Sequence, residues 1–474
     1  MLFVELRFFI FFAVVLLVYW AMPVADALRK NNARKWFILA CSYYFYGSWD
    51  WRFAVMLGVL SAADYYFALR IVRSQTQRAR KIFVTASVAM NLSVLGFFKY
   101  FHFFVDSAIG MAHALGVHLD EPTIHIILPV GVSFFTFQSL SYTIDVYRKE
   151  IPAVHSLRDY LMFASFFPQL VAGPIVRPKY FVPQMASART VSLDEVKAMM
   201  YLFLLGFIKK SCIADNISPY VDKVFNHPAH FSAVASICAT WLYTIQIFCD
   251  FSGYSDMAIA VAGLLGYKLV LNFNAPYLSV SIQEFWRRWH ISLSTWIRDY
   301  IYISLGGRSK YVLMTYRNLL LTMLAGGLWH GAAWTFVAWG GAHGAGQVVH
   351  AEVKRRFPPK PEHEPWRAAI SWFITLNFVC LCWILFRSQT FATAWLLIKR
   401  YLFLDRGGPE TLPVWLLLLG PGLLLCQWLM RRYKVGEWAS GLRLEPFCLI
   451  YGCLWAVVLA LLPLGYRPFI YFQF

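Results

Sequence analysis

Residues 318–351 contain no Asp, Glu, Lys or Arg, and uncharged or nearly uncharged runs recur along the whole chain. They fall at about 8–25, 36–49, 53–69, 82–98, 126–144, 160–176, 198–208, 231–249, 257–267, 368–386, 411–430 and 446–466. A helix crosses the ~30 Å hydrocarbon core with about 20 apolar residues. Only helices and closed barrels satisfy their backbone groups there. The runs predict an all-α polytopic membrane protein with about ten to twelve spans. Short runs such as 198–208 must belong to longer or re-entrant helices. Composition agrees: 59% of the 474 residues are hydrophobic and 14% are charged, against about 25% charged in a soluble domain.

The net charge is +18, from 43 Lys+Arg against 25 Asp+Glu. In a membrane protein such an excess holds topology and touches lipid rather than nucleic acid. Basic clusters at Arg29, Lys30, Arg34, Lys35 and at Arg70, Arg73, Arg78, Arg80, Lys81 enclose one out-and-back hairpin. Both clusters read as cytoplasmic, with an uncleaved first span and the N-terminus outside. The charged stretches 177–197 and 352–367 read as loops, the second marked by Pro358-Pro359-Lys360-Pro361. Nine scattered cysteines and no ligand cluster predict neither a disulfide framework nor a metal site.

Polar side chains are costly in hydrocarbon, so they mark candidate sites. Asp250 and Asp256 interrupt an apolar region beside small residues. They read either as a proton relay or substrate contact, or as structural carboxylates that cap a broken helix or pair with a nearby Arg. Residues 283–307 read as one amphipathic interfacial helix. On it Trp286, Trp289, Leu293, Trp296 and Tyr300 share one face, and Gln283, Arg287, His290, Ser294 and Arg298 another. Arg298-Asp299 and a Gly306-Gly307 turn end that unit. Membrane anchor and substrate-binding readings are both open. In 318–351, His330 lies among Gly326, Gly327 and Gly331, with Trp329 and Trp334 as expected walls. Gly327/Gly331 and Gly340/Gly344 have the spacing of close helix packing. A neutral imidazole suits general-base work, and a structural hydrogen bond is the other reading. His343 and His350 read as structural.

These residues resemble a known family. The pieces are Tyr43-Tyr44-Phe45-Tyr46-Gly47, Val132-Ser133-Phe134-Phe135-Thr136-Phe137-Gln138-Ser139-Leu140-Ser141-Tyr142 and Phe167-Pro168-Gln169-Leu170-Val171-Ala172-Gly173-Pro174. Asp250-Phe251-Ser252-Gly253-Tyr254-Ser255-Asp256 follows. Then come Phe285-Trp286-Arg287-Arg288-Trp289-His290, Ser292-Leu293-Ser294, Arg298-Asp299-Tyr300, Leu305-Gly306-Gly307 and Gly327-Leu328-Trp329-His330-Gly331-Ala332. In this order they resemble the membrane-bound O-acyltransferases, in the bacterial branch that contains the membrane subunit of alginate O-acetylation. Ser304 departs from the branch, which has Pro before Leu-Gly-Gly.

The resemblance implies a ring of tilted helices, with re-entrant and interfacial ones, around a central tunnel. It implies one membrane-embedded domain over 1–474: N-terminal helices 1–125, a motif-bearing core 126–351 and C-terminal helices 352–474. It makes His330 the essential catalytic residue and His290 the supporting one. Arg287, Arg298, Asp299, Trp329, Asp250 and Asp256 are candidates for substrate contact. The implied donor is acetyl-CoA or another cytoplasmic acetyl thioester, with no tightly bound cofactor. The acetyl group is destined for a secreted polysaccharide such as alginate. The implied partners are a periplasmic Ser-His-Asp acetyltransferase and the polysaccharide synthesis and export machinery, at a bacterial inner membrane. D-alanyl or peptidoglycan acyl transfer by the same fold is one alternative, and a transporter or flippase without a covalent step is another.

Overall fold

The computed structural model describes residues 1–23, 32–120, 126–187, 189–357, 365–433 and 435–463. Arg29, Lys30, His125, His363 and the 358–361 proline run lie outside them. Among the described residues the chain is helical, and the only extended pairing consists of two isolated bridges, Phe231 with Glu410 and Ser232 with Gly407. Among the described residues five helices are long and apolar enough to cross a membrane: Trp51–Arg73, Gln77–Ala114, Ala233–Leu264, Pro365–Arg387 and Val414–Tyr433. Leu6–Ala21 and Leu444–Ala460 are shorter apolar helices. Absence of charge alone suggests ten to twelve spans; length and mean hydropathy together select fewer, because several buried helices are short or rich in Gly and polar residues.

The chain divides into two compact units, Met1–Met199 with Ala258–Val270, and Met200–Met257 with Leu271–Phe474. The 126–351 stretch is shared between them. In the first unit the Val132–Arg148 helix starts at Gly131, whose φ is 77°. A Cβ there would meet the Leu170 carbonyl oxygen at 2.5 Å. Gln138 and Gln169 both donate their side-chain amides to the Phe163 carbonyl, at 3.0 and 2.9 Å. Two of the motif segments are therefore packed on each other and hold this unit together. The same unit buries Asp64, which accepts from Ser87 Oγ at 2.6 Å and from Asn91 Nδ2 at 3.0 Å. Arg34 and Lys35, expected in a loop, are buried on the Asn32–Gly47 helix. There Lys35 pairs with Asp159 at 3.1 Å.

In the second unit, 318–351 is not one helix. Val312–His330 ends at His330, Gly331 is extended, and Trp334–Arg356 turns back against it. Of the two glycine pairs predicted to permit close packing, Gly327, Gly340 and Gly344 do so, whereas Gly331 lies past the helix end and meets the Phe336 ring. A Cβ on Gly327 would overlap the Phe336 carbonyl and press on the Gly340 Cα at 3.0 Å. A Cβ on Gly340 would overlap the Met323 carbonyl. Backbone touches backbone, so neither helix can shift to make room. Gly327→Ala is expected to destabilise the protein by about 1–3 kcal/mol, the range for overpacking a filled interior. Thermal melting in detergent should show a clear fall, whereas Gly422→Ala, with nothing near its added methyl, should leave the melt unchanged.

Candidate functional site

The predicted 283–307 helix is broken at His290. Its backbone is left-handed, φ 42° and ψ 56°, between the helices Ile282–Arg288 and Ile291–Ile297. A β-carbon makes that region unfavourable, so surrounding bonds must hold it. Ile291 N–H donates to the Asn272 carbonyl at 2.9 Å, and Asn274 N–H to the Arg288 carbonyl at 2.9 Å. The break corrects the shared polar face of Gln283, Arg287, His290, Ser294 and Arg298. Arg287 and Arg298 are exposed, while His290 is fully buried. Arg298 pairs with its neighbour Asp299 at 2.7 Å, and Gly306 and Gly307 end the unit in the expected turn at φ 104° and 57°. Ser304 in place of Pro does not prevent it.

Asn272, which no motif flagged, organises the His290 ring. Its Nδ2 donates to Ser255 Oγ at 3.1 Å, which orients the amide. Its Oδ1 then accepts from the Ser292 N–H at 3.2 Å and from Ser292 Oγ at 2.9 Å. The same Oδ1 lies 3.1 Å from His290 Nδ1. An amide oxygen only accepts, so Nδ1 carries the proton and Nε2 of the neutral ring keeps its lone pair.

His330, at the end of its helix, is 3% exposed. Its ring centroid lies 6.4 Å from that of His290. It stands edge-on to Trp339 at 5.0 Å and faces Trp329 at 5.0 Å and Phe386 at 5.4 Å. Trp329 walls the ring as expected. Trp334 does not: it is 56% exposed, and Trp339 and Phe386 supply the wall instead. A Cβ on Gly331 would overlap the Phe336 ring, so Gly keeps that aromatic layer in place. The site is thus two imidazoles, one of fixed tautomer, inside an aromatic enclosure. A neutral imidazole can accept a proton from a hydroxyl, and carries no charge until it does so.

Asp250 and Asp256 are each placed against a lysine. The helix that carries them, Ala233–Leu264, is unbroken, and Gly253 packs on Gly206 closely enough that a Cβ would meet its carbonyl at 2.5 Å. That approach brings the π-helical turn Ile208–Ala214 alongside. Lys210 Nζ then lies 2.6 Å from Asp250 and 2.7 Å from Asp215, and Lys209 Nζ 2.6 Å from Asp256. The carboxylates pair with cations, and the partner is Lys.

The family model for membrane-bound O-acyltransferases matches residues 65–392. The chain belongs to that family. It is a membrane-bound acyltransferase. It is 42% identical over 374 residues to a protein named probable alginate O-acetylase AlgI from Azotobacter vinelandii, covering 78% of this chain and 72% of that one. It is 34% identical over 409 residues to the peptidoglycan O-acetyltransferase of Helicobacter pylori, 79% and 75% covered. The teichoic acid D-alanyltransferase of Streptococcus thermophilus is 29% identical over 299 residues, 56% and 71% covered.

Two expectations follow from this membrane-bound acyltransferase's geometry. Asn272→Ala should lower acyl-transfer turnover by up to about 10²-fold, the scale of a small misplacement of a reacting group, with thermal stability reduced only modestly. Lys209→Met should cost about 3–5 kcal/mol by stranding Asp256. Adding Asp256→Asn should restore folded yield, measured by size exclusion in detergent, and activity with it. A proton relay through Asp256 predicts instead a folded but inactive double variant.

Proposed function

We propose that the protein moves an acetyl group from a cytoplasmic thioester, acetyl-CoA or an acetylated carrier, to a hydroxyl destined for a secreted polysaccharide of the alginate type. The observation that carries the reading is the buried pair of His330 and His290, 6.4 Å apart between ring centroids in an aromatic enclosure. His330 takes the proton of the acceptor hydroxyl as its oxygen bonds to the thioester carbonyl carbon. The C–S bond breaks, and the imidazolium returns the proton to the leaving thiolate. His290, held by Asn272, orients a reactant through its Nε2. Arg287 and Arg298, exposed on either side of the His290 break, offer guanidinium groups to anionic parts of donor or acceptor, with Asp299 holding Arg298.

The similarity to alginate O-acetylases favours acetyl as the group and an inner-membrane setting, with the N-terminus outside by the charge pattern. The acceptor is the polysaccharide itself, or the serine of a periplasmic Ser-His-Asp acetyltransferase working with the synthesis and export machinery. A tunnel open to both faces would let donor and acceptor meet at His330. The similarity to a peptidoglycan O-acetyltransferase supports peptidoglycan as the second reading for the acceptor. The transporter reading loses support, since Asp250 and Asp256 are each engaged in an ion pair with a lysine, Lys210 being shared with Asp215.

His330→Ala should reduce polysaccharide acetylation by about 10²–10⁴-fold, the usual worth of general-base help, at unchanged protein level. Acetyl content of the secreted polymer, read by NMR in a complemented deletion strain, checks this. Normal acetylation by a folded, inserted variant would remove His330 from the chemistry.

A further inference from the structure

We propose that His343 is a positioning residue for the reaction, holding the His290 segment and the wall of His330 in one register. The proposal rests on the reading of His330 and His290 as the reacting pair. His343 lies four residues after Trp339 on the Trp334–Arg356 helix and is fully buried. The Trp286 indole donates Nε1–H to His343 Nδ1 at 3.3 Å. An indole nitrogen can only donate, so Nδ1 is the acceptor and the neutral ring carries its proton on Nε2.

Aromatic rings surround the imidazole. It lies parallel to Phe285 at 6.1 Å and edge-on to Phe378 at 5.8 Å. Trp339 meets it at 4.7 Å and Trp286 at 5.1 Å. These last two are what give the position its consequence. Trp286 belongs to the Ile282–Arg288 helix, whose end leads directly into the left-handed His290. Trp339 is the edge-on neighbour of His330, at 5.0 Å. One imidazole therefore ties the helix ahead of His290 to the aromatic wall of His330. A residue with only apolar atoms could fill the volume but would leave the Trp286 N–H buried without an acceptor.

Thiol release from acetyl-CoA by the purified protein in nanodiscs, with alginate as acceptor, reads the effect. His343→Phe keeps volume and removes the acceptor; kcat should fall about tenfold or more, as expected for displaced reacting groups. KM for acetyl-CoA should stay within about twofold, because binding shared by ground and transition states is untouched. His343→Asn, whose Oδ1 stands where Nδ1 was, should recover most of kcat. Trp286→Phe should match the loss, and the double variant should be no worse than either single one. Should His343→Phe not fold, Trp286→Phe against the wild type decides the question. Full kcat in His343→Phe or Trp286→Phe, equal loss in His343→Asn and His343→Phe, or additive losses would overturn the proposal. His330→Ala run alongside separates the two claims. If it is silent while His343→Phe is fully active, the positioning role alone falls; if it is fully active, both readings fall.

Discussion

The site depends on one contact, the crossing of Gly327 on Gly340. Where two backbones touch, the side chains on either flank must point past each other. Here that sends His330 and Trp339 into the same space. A Cβ on either glycine would collide with a carbonyl of the facing helix. Interiors packed to crystal density absorb such a change poorly. In a membrane this type of contact matters further, because lipid tails compete with apolar side chains and close backbone packing supplies the helix association. The turn Gly331–Ala333 then fixes where the imidazole stops, at a helix end with its ring against Trp339 and Phe386.

Much of the architecture was legible because it follows from single-residue chemistry. Uncharged runs announced the apolar helices, glycine spacing announced the close crossing, and a histidine in an apolar run marked the candidate site. What stayed hidden has one cause: it depends on partners distant in sequence. The 283–307 stretch has a good helical pattern, yet His290 is left-handed, because Asn272 and Asn274 pull the backbone out of register. Asn272 lies in Leu271-Asn272-Phe273-Asn274, which has no pattern to mark it. Trp339 rather than Trp334 walls His330 because the chain turns at Gly331, and 3.6-residue periodicity carries no information across a turn. Lys209 and Lys210 follow a short apolar run, 198–208, and carry no pattern that marks a role. Their role appeared only once Gly206 and Gly253 were in contact.

The carboxylates show how pairing separates two kinds of buried charge. An ionised group taken out of water is tolerated only with a partner and good geometry. Asp250 and Asp256 have that in Lys210 and Lys209, and the pairing fixes a π-helical turn against a long helix. Charges satisfied in this way are poor carriers of an exchangeable proton or ion, since opening each pair strands its partner. The histidines differ: they bear no permanent charge, so they can be buried among tryptophans and still change protonation during a reaction.

That difference suits a thioester reaction. Water competes with any acceptor hydroxyl for an activated acyl group, and a closed site suppresses hydrolysis. His290 is fully buried and His330 is 3% exposed, with indole and phenyl edges where solvent would otherwise stand. On the proposed reading, a hydroxyl and a thioester reaching this space would leave the general base little else to deprotonate, and the developing imidazolium would meet the faces and edges of aromatic rings rather than bulk water. Asn272 fixes the tautomer of His290 and Trp286 that of His343, so the rings around His330 keep one hydrogen-bonding pattern. On the proposed reading the aromatic enclosure would thus order the reactants and exclude the competing nucleophile by the same contacts.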